Sequence, residues 1–140
     1  MTRRQTYIAA MDCGSTNFKA DVFDSSLRRV GEHSEPLEYR RTPAFRVEFE
    51  PETAWRTGTR VIRKACADAG LKTDAIGVLA FASQANTFCL LDDVSRPVVP
   101  FLSWQDRRAS REAAFLNRRM KAGFHRHCSW PYVFPALQAA

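Results

Sequence analysis

Five residues near the start, Asp12-Cys13-Gly14-Ser15-Thr16, put a carboxylate, a glycine and two hydroxyls within one tight turn. Backbone N–H groups in a glycine-containing turn converge on anions, and the Ser15 and Thr16 hydroxyls add donors. A carboxylate at the end of the preceding strand, Asp12, suits a magnesium ion held through water, with Lys19 adding positive charge nearby. Such an assembly would embrace the phosphates of a nucleotide. The competing reading is a polar hairpin tip in which Asp12 caps its own turn. Four scattered residues, Glu48, Gln84, Trp104 and Asp106, have plain structural readings: Glu48 as a loop carboxylate in water, Trp104 as core at a strand end, Asp106 as a helix N-cap pairing with Arg107. Gln84 draws its interest only from following an apolar strand.

These residues need elements to place them. Tyr7 to Met11 is short and apolar, and Phe18, Ala20 and Val22 alternate with polar positions, so the turn joins two strands. Arg29 to Glu38 reads as a third, more exposed strand weakened at its end by Pro36, and Arg40 to Phe49 as a loop. Glu50-Pro51-Glu52 signals a helix start, with Trp55, Ile62, Ala65, Cys66 and Ala69 at helical spacing and Gly70 as the C-cap. Ile76 to Ala82 is almost wholly apolar, as suits a strand buried on both faces. Phe88 to Leu91 reads as a strand, Asp92 to Pro97 as a turn, Val98 to Trp104 as a short apolar segment, and Gln105 to Lys121 as a helix with Ala109, Ala113, Leu116 and Met120 on one stripe. This order predicts an α/β mixed sheet with opening hairpins and flanking helices. The last stretch, Phe124 to Ala140, has aromatics, two prolines and no clean period.

Composition sets the bounds. The 140 residues, 45% of them apolar, suffice for one compact domain. The net charge of +6 gathers late, at Arg107, Arg108, Arg111, Arg118, Arg119 and Lys121, and reads as a solvated helix face. The four cysteines form no C-x-x-C pair, which predicts a reducing, cytoplasmic setting without a disulfide framework. His125-Arg126-His127-Cys128 has metal-ligand types but lacks a second ligand pair at zinc-like spacing. No apolar run reaches the length of a membrane span, and the short apolar segment after Arg3-Arg4 does not make a signal peptide. Neither a membrane nor a nucleic-acid partner is expected.

Four segments together resemble the FGGY carbohydrate kinases, of the larger superfamily of sugar kinases, heat-shock ATPases and actin. Ile8-Ala-Ala-Met-Asp12-Cys-Gly14-Ser15-Thr16-Asn-Phe-Lys19 is similar to the first phosphate motif, with the hydroxyl pair reversed. Val47-Glu48-Phe49-Glu50-Pro51 resembles W-x-E-x-[DE]-P, with Arg46 in place of the common aromatic. Ser83-Gln84-Ala85-Asn86 resembles the Q-x-H region, with Asn86 for His and Thr87 for Gly. Leu91-Asp92…Arg96-Pro97…Pro100…Trp104-Gln105-Asp106-Arg107-Arg108 resembles L-D-x-x-G-x-P-x-x-P-x-x-x-W-x-D-x-R, with Ser95 for Gly. The motif-bearing part spans residues 7 to about 112.

The resemblance implies a ribonuclease H-like sheet, incomplete within 1–140, from the first domain of an ATP-dependent sugar or polyol kinase. Asp12, Gly14, Ser15, Thr16 and Lys19 would face ATP and its Mg2+. Glu48, Gln84, Trp104 and Asp106 would lie on the polyol side, where carboxylates and amides pair hydroxyl groups and an indole covers the C–H face. The family's catalytic Asp and its second, ATP-binding domain are expected beyond residue 140, so the chain alone is expected not to catalyse transfer. Two other readings stand beside this one: a non-catalytic phosphate- or sugar-binding remnant, and a ribonuclease H-like nucleic-acid-binding domain.

Overall fold

A computed structural model describes residues 6–120, 123, 124, 126 and 130–136. The His125 to Cys128 motif lies largely outside the described residues, as do the first five residues. Two compact units emerge, Met1–Glu38 with Glu52–Gln84, and Tyr39–Pro51 with Ala85–Ala140.

The first unit is a four-stranded mixed sheet with one long helix. Strands β1 (Tyr7–Cys13) and β2 (Asn17–Phe23) form the opening hairpin, in which Met11 faces Ala20 and Asp12 faces Lys19. β3 (Arg29–Pro36) adds antiparallel to β2, through a turn in which Asp24 Oδ1 accepts the backbone N–H groups of Ser26 and Arg28. Helix α1 (Pro51–Asp68) opens on Pro51, whose missing N–H costs nothing at a first helical position. It is followed by Gly70 in the left-handed region, at φ 67°, the conformation that suits a glycine just past a helix end. The buried residues of α1, Thr57, Gly58, Val61, Ala65 and Cys66, fall on one helical face. Trp55, expected on that face, is instead 70% exposed: it shares the angular position of Cys66, but lies in the first turns of the helix, ahead of the first buried residue, Thr57. Gly58 lies over Met11 and Phe18, and Gly31 of β3 lies against the Ala65 carbonyl and Ala69. These contacts fix the helix on the sheet.

A short 3-10 turn (Thr73–Ala75) then leads into the next strand of this sheet, Ile76–Ser83, which pairs parallel with β1. The sheet order is therefore β3, β2, β1 and then this strand at the margin. The sequence predicts that it is buried on both faces; along most of its length it is exposed. Its position explains the difference, since it has a neighbour on one side only among the described residues.

The second unit contains structure that the sequence does not announce. The expected loop from Arg40 to Phe49 holds β4 (Arg40–Arg41) and β5 (Val47–Phe49). With Ile76–Ser83 numbered β6, β5 pairs in turn with β7 (Phe101–Leu102). Phe49 stacks on Phe101 at 4.9 Å and meets the edge of Tyr39 at 5.2 Å. The expected strand at Phe88–Leu91 is reduced to two isolated bridges, Phe88 to Leu102 and Leu91 to Pro97. Helix α2 (Ser110–Met120) starts at Ser110 rather than at Gln105. Ala113 is its buried contact, while Leu116 and Met120 of the expected stripe stay exposed. The side-chain amide of Asn117 brackets the backbone of Val133, donating to its carbonyl and accepting its N–H at 2.7 Å each.

Candidate functional site

The hydroxyl-bearing turn sits at the tip of the β1–β2 hairpin, and two outside segments hold it. The Thr16 carbonyl accepts the N–H of Leu37 at 2.9 Å. From the end of β6, Gln84 makes two bonds to the turn: its backbone N–H to the Cys13 carbonyl at 3.1 Å, and its side-chain amide to the Gly14 carbonyl at 3.3 Å. Gln84, expected beside a polyol, is bonded to the Asp12–Thr16 turn. Gly14 is required there by close approach, since a Cβ would stand 2.9 Å from the Asn17 carbonyl oxygen.

The chemistry at the tip is one of oxygen donors. Asp12 and Thr16 are exposed and Ser15 is half-buried. Burial, with the charge of Asp12 beside it, pushes the Cys13 thiol pKa up, so Cys13 stays protonated at neutral pH and is no nucleophile. Lys19, opposite Asp12 in register, leans toward the carboxylates of Asp21 at 3.3 Å and Glu32 at 3.7 Å. Among the described residues no three His, Cys, Asp or Glu side chains form a metal cluster. A lone exposed carboxylate fits magnesium, which keeps several waters and takes few protein ligands.

Glu48, Trp104 and Asp106 come together in the second unit. Glu48 and Asp106 are buried, and arginines occupy their oxygens. Glu48 Oε2 accepts from Arg40 Nη2 at 2.7 Å, and Oε1 accepts from Arg108 Nη2. Arg108 Nε lies 2.9 and 3.0 Å from the two Asp106 oxygens, and its Nη2 is 2.6 Å from Oδ2. Asp106 Oδ2 also accepts the Val47 N–H at 2.9 Å, and Oδ1 accepts the Arg108 N–H at 3.0 Å. Asp106 therefore pairs with Arg108, rather than with Arg107 as the sequence suggests. The Arg107 N–H instead reaches the Phe45 carbonyl.

Electrostatics follows from this contact set. Arg40 first, then Arg108, hold the Glu48 carboxyl below its ordinary range against the opposing effect of burial. Burial pushes the Asp106 carboxyl up, but Arg108 and the two backbone N–H groups outweigh it and leave its pKa lowered. The Arg108 guanidinium is driven up by Asp106, then, against burial, by Glu48. All three groups are charged at neutral pH. They bind β5 to the Ser103–Asp106 turn, where Trp104 stands half exposed with its N–H on the Thr87 hydroxyl at 3.1 Å. Sequence reasoning missed Arg40 and Arg108; the D-x-R spacing of Asp106 and Arg108 is the signal that pointed to one of them.

A mixed sheet with one long helix packed on it, opening on a hairpin with Asp, Gly and paired hydroxyls at its tip, defines the α/β class to which many nucleotide-using proteins belong. Residues 7–131 match the N-terminal domain of the FGGY family of carbohydrate kinases, and the chain belongs to that family. It is similar to a glycerol kinase of Marinomonas sp., 34% identical over 105 residues, which make up 74% of this chain and 21% of the relative. A xylulose kinase from Brucella ovis has the same fold at a TM-score of 0.82 and 26% identity, covering 94% of this chain and 27% of its own. A Plasmodium falciparum glycerol kinase solved with ADP superposes at a TM-score of 0.70 and 13% identity, covering 86% of this chain and 24% of its own. The chain thus spans about a quarter of the length of these relatives. Membership in a kinase family displaces the nuclease-like reading.

Proposed function

We propose that this chain forms the phosphate-turn and sugar-loop part of an ATP-dependent kinase acting on a small sugar or polyol. The match of residues 7–131 to the kinase family carries the reading. In the reaction a substrate hydroxyl oxygen attacks the γ-phosphorus, the bond to the β,γ-bridging oxygen breaks, and ADP leaves. The hydroxyl proton passes to a base supplied outside the residues described. Ser15, Thr16 and the backbone around Gly14 would hold phosphate oxygens, and Asp12 would hold magnesium through water; the ion would neutralise phosphate charge. Lys19 adds positive charge from β2. Trp104 offers an apolar face to substrate C–H groups. Glu48 and Asp106, occupied by arginines, support that loop, and Gln84 supports the phosphate turn.

The test is a titration of the 15N-labelled chain with Mg·ADP, following amide shifts. Shifts concentrated at residues 12–17, weakened several-fold in Asp12→Asn and without magnesium, are expected. Shifts elsewhere only, or none at millimolar nucleotide, would refute the assignment. The chain alone is expected to show no transfer of phosphate from ATP to glycerol or xylulose.

A further inference from the structure

Helix α2 is anchored along one side. Ala113 is its buried contact, and Asn117 brackets the Val133 backbone. Phe115 lies two residues from each anchor, and so about 160° round the helix from both. On that far side it is 50% exposed. A helix brings the residues three and four positions to either side of Phe115 onto the same face. They are Arg111, Glu112, Arg118 and Arg119, three cations to one anion. The Arg119 guanidinium stands over the Phe115 ring, 5.6 Å from its centroid. Arg111, Ala114, Phe115 and Arg118 line one open depression.

Elsewhere arginines are taken up by carboxylates: Arg28 by Asp24, Arg56 by Glu52, Arg60 by Glu35, and Arg40 and Arg108 by Glu48. Among the described residues Arg111, Arg118 and Arg119 form no such pair. An exposed aromatic ringed by unpaired arginines has the composition of an interface centre, where aromatic residues and Arg carry much of the binding energy. The charge decides between occupants. A second copy presenting the same face would set arginines against arginines. A bilayer takes up a broad apolar face, whereas here one large apolar side chain stands within a ring of charge. A nucleic-acid backbone would run its even line of phosphates past Glu112. A polypeptide can place carboxylates on Arg111 and Arg118, set an apolar side chain on Phe115, and leave Glu112 to water.

We propose that the face of α2 centred on Phe115 is a docking surface for an acidic segment of a partner protein, with an apolar side chain of that segment seated on Phe115 and carboxylates on Arg111 and Arg118. The proposal is independent of the nucleotide assignment.

The probes are two fluorescein-labelled peptides of about 20 residues, one with a leucine stripe at helical spacing between glutamates, the other with leucine and glutamate alternating as in a strand. Fluorescence anisotropy with the full chain is expected to show saturable 1:1 binding of at least one. Phe115→Ala and Arg111→Gln/Arg118→Gln should each weaken it about tenfold. Both changes lie on the exposed face, away from Ala113 and Asn117, so the helix keeps its anchors. Arg56→Gln/Arg63→Gln removes the same charge from exposed positions of α1 and should leave binding unchanged. No saturable binding of either peptide, or binding that Phe115→Ala leaves intact, overturns the proposal and returns the face to solvent. Phe115-dependent binding to phosphatidylserine vesicles or to single-stranded DNA in preference to the peptides also overturns it, as does a dimer of the chain that Phe115→Ala abolishes. A chain that ignores both peptides yet binds Mg·ADP loses only this proposal.

Discussion

Replacing Arg108 by methionine keeps most of the side-chain bulk and removes the charge shared by Glu48 and Asp106. The structure sets the size of the effect. The Arg108 side chain is 32% exposed, so water already solvates part of it, whereas the side chains of Glu48 and Asp106 are 5% and 6% exposed. The cost therefore falls on two carboxylates that cannot rehydrate without opening the β5–β7 region. Removing one partner of a fully buried pair costs about 3–5 kcal/mol. Here Glu48 keeps Arg40, and Asp106 keeps two backbone N–H donors. With the exposure of Arg108, these bring the expected loss to about 2–3 kcal/mol, roughly 30- to 150-fold in the local folding equilibrium. Arg40→Met is the control. The Arg40 side chain is 63% exposed and pairs with Glu48 alone of the two acids, so its loss should be clearly smaller. Urea unfolding followed by Trp104 fluorescence, in a Trp55→Phe/Trp130→Phe background, reads this unit. Adding Glu48→Gln and Asp106→Asn to Arg108→Met should recover part of the stability by removing the stranded charges. An Arg108→Met loss below about 0.5 kcal/mol, or one equalled by Arg40→Met, would refute the reasoning.

Two further outcomes are expected. Gly31→Ala places a Cβ against the Ala65 carbonyl oxygen and 2.8 Å from Ala69, so β3 and α1 must part. A loss of about 1–3 kcal/mol should appear as a lower Tm. Glu35 is held at about 2, first by Lys64, then, against burial, by Arg60 and His33. Because its folded pKa is depressed below the ordinary 4.5, its contribution is present above about pH 4.5 and is lost as pH falls through about 2. Stability of the first unit measured across that window should fall less steeply in Glu35→Gln than in the parent.

What the sequence made legible was local. The hairpin shows in alternation and turn chemistry, and α1 in Pro51 and Gly70, because a few adjacent residues carry those signals. β4, β5 and β7 are too short to show a period, and exist through partners far along the chain. The start of α2 at Ser110 follows from Asp106 and Arg108 being committed to Val47 and Glu48, 59 and 60 residues away. β6 was legible as a strand, but its apolar run reports what the strand prefers to touch, not what touches it. Ser95, where the resembling motif has Gly, and Asn86 both adopt the left-handed region, at φ 63° and 57°. Asn accepts that conformation readily. At Ser95 the N–H bond to the Asp92 carbonyl and the Asp92 carboxylate on Val94 and Arg96 close the turn. For the site, the acid types were visible and their arginine partners were not, so Glu48 and Asp106 looked available when they are engaged.

The first sheet is not made in the order of its strands. β1, β2 and β3 are complete once Pro36 has been synthesised; β6, the parallel partner of β1, is not complete until Ser83. At a synthesis rate of about ten amino acids per second, the residues between them take roughly 5 s. Throughout that interval the β1 edge awaits its partner. That is long compared with hairpin formation or collapse, which finish in microseconds. A nascent chain of this kind therefore presents folding factors with a pre-formed sheet that has one adhesive side, rather than with an unfolded segment.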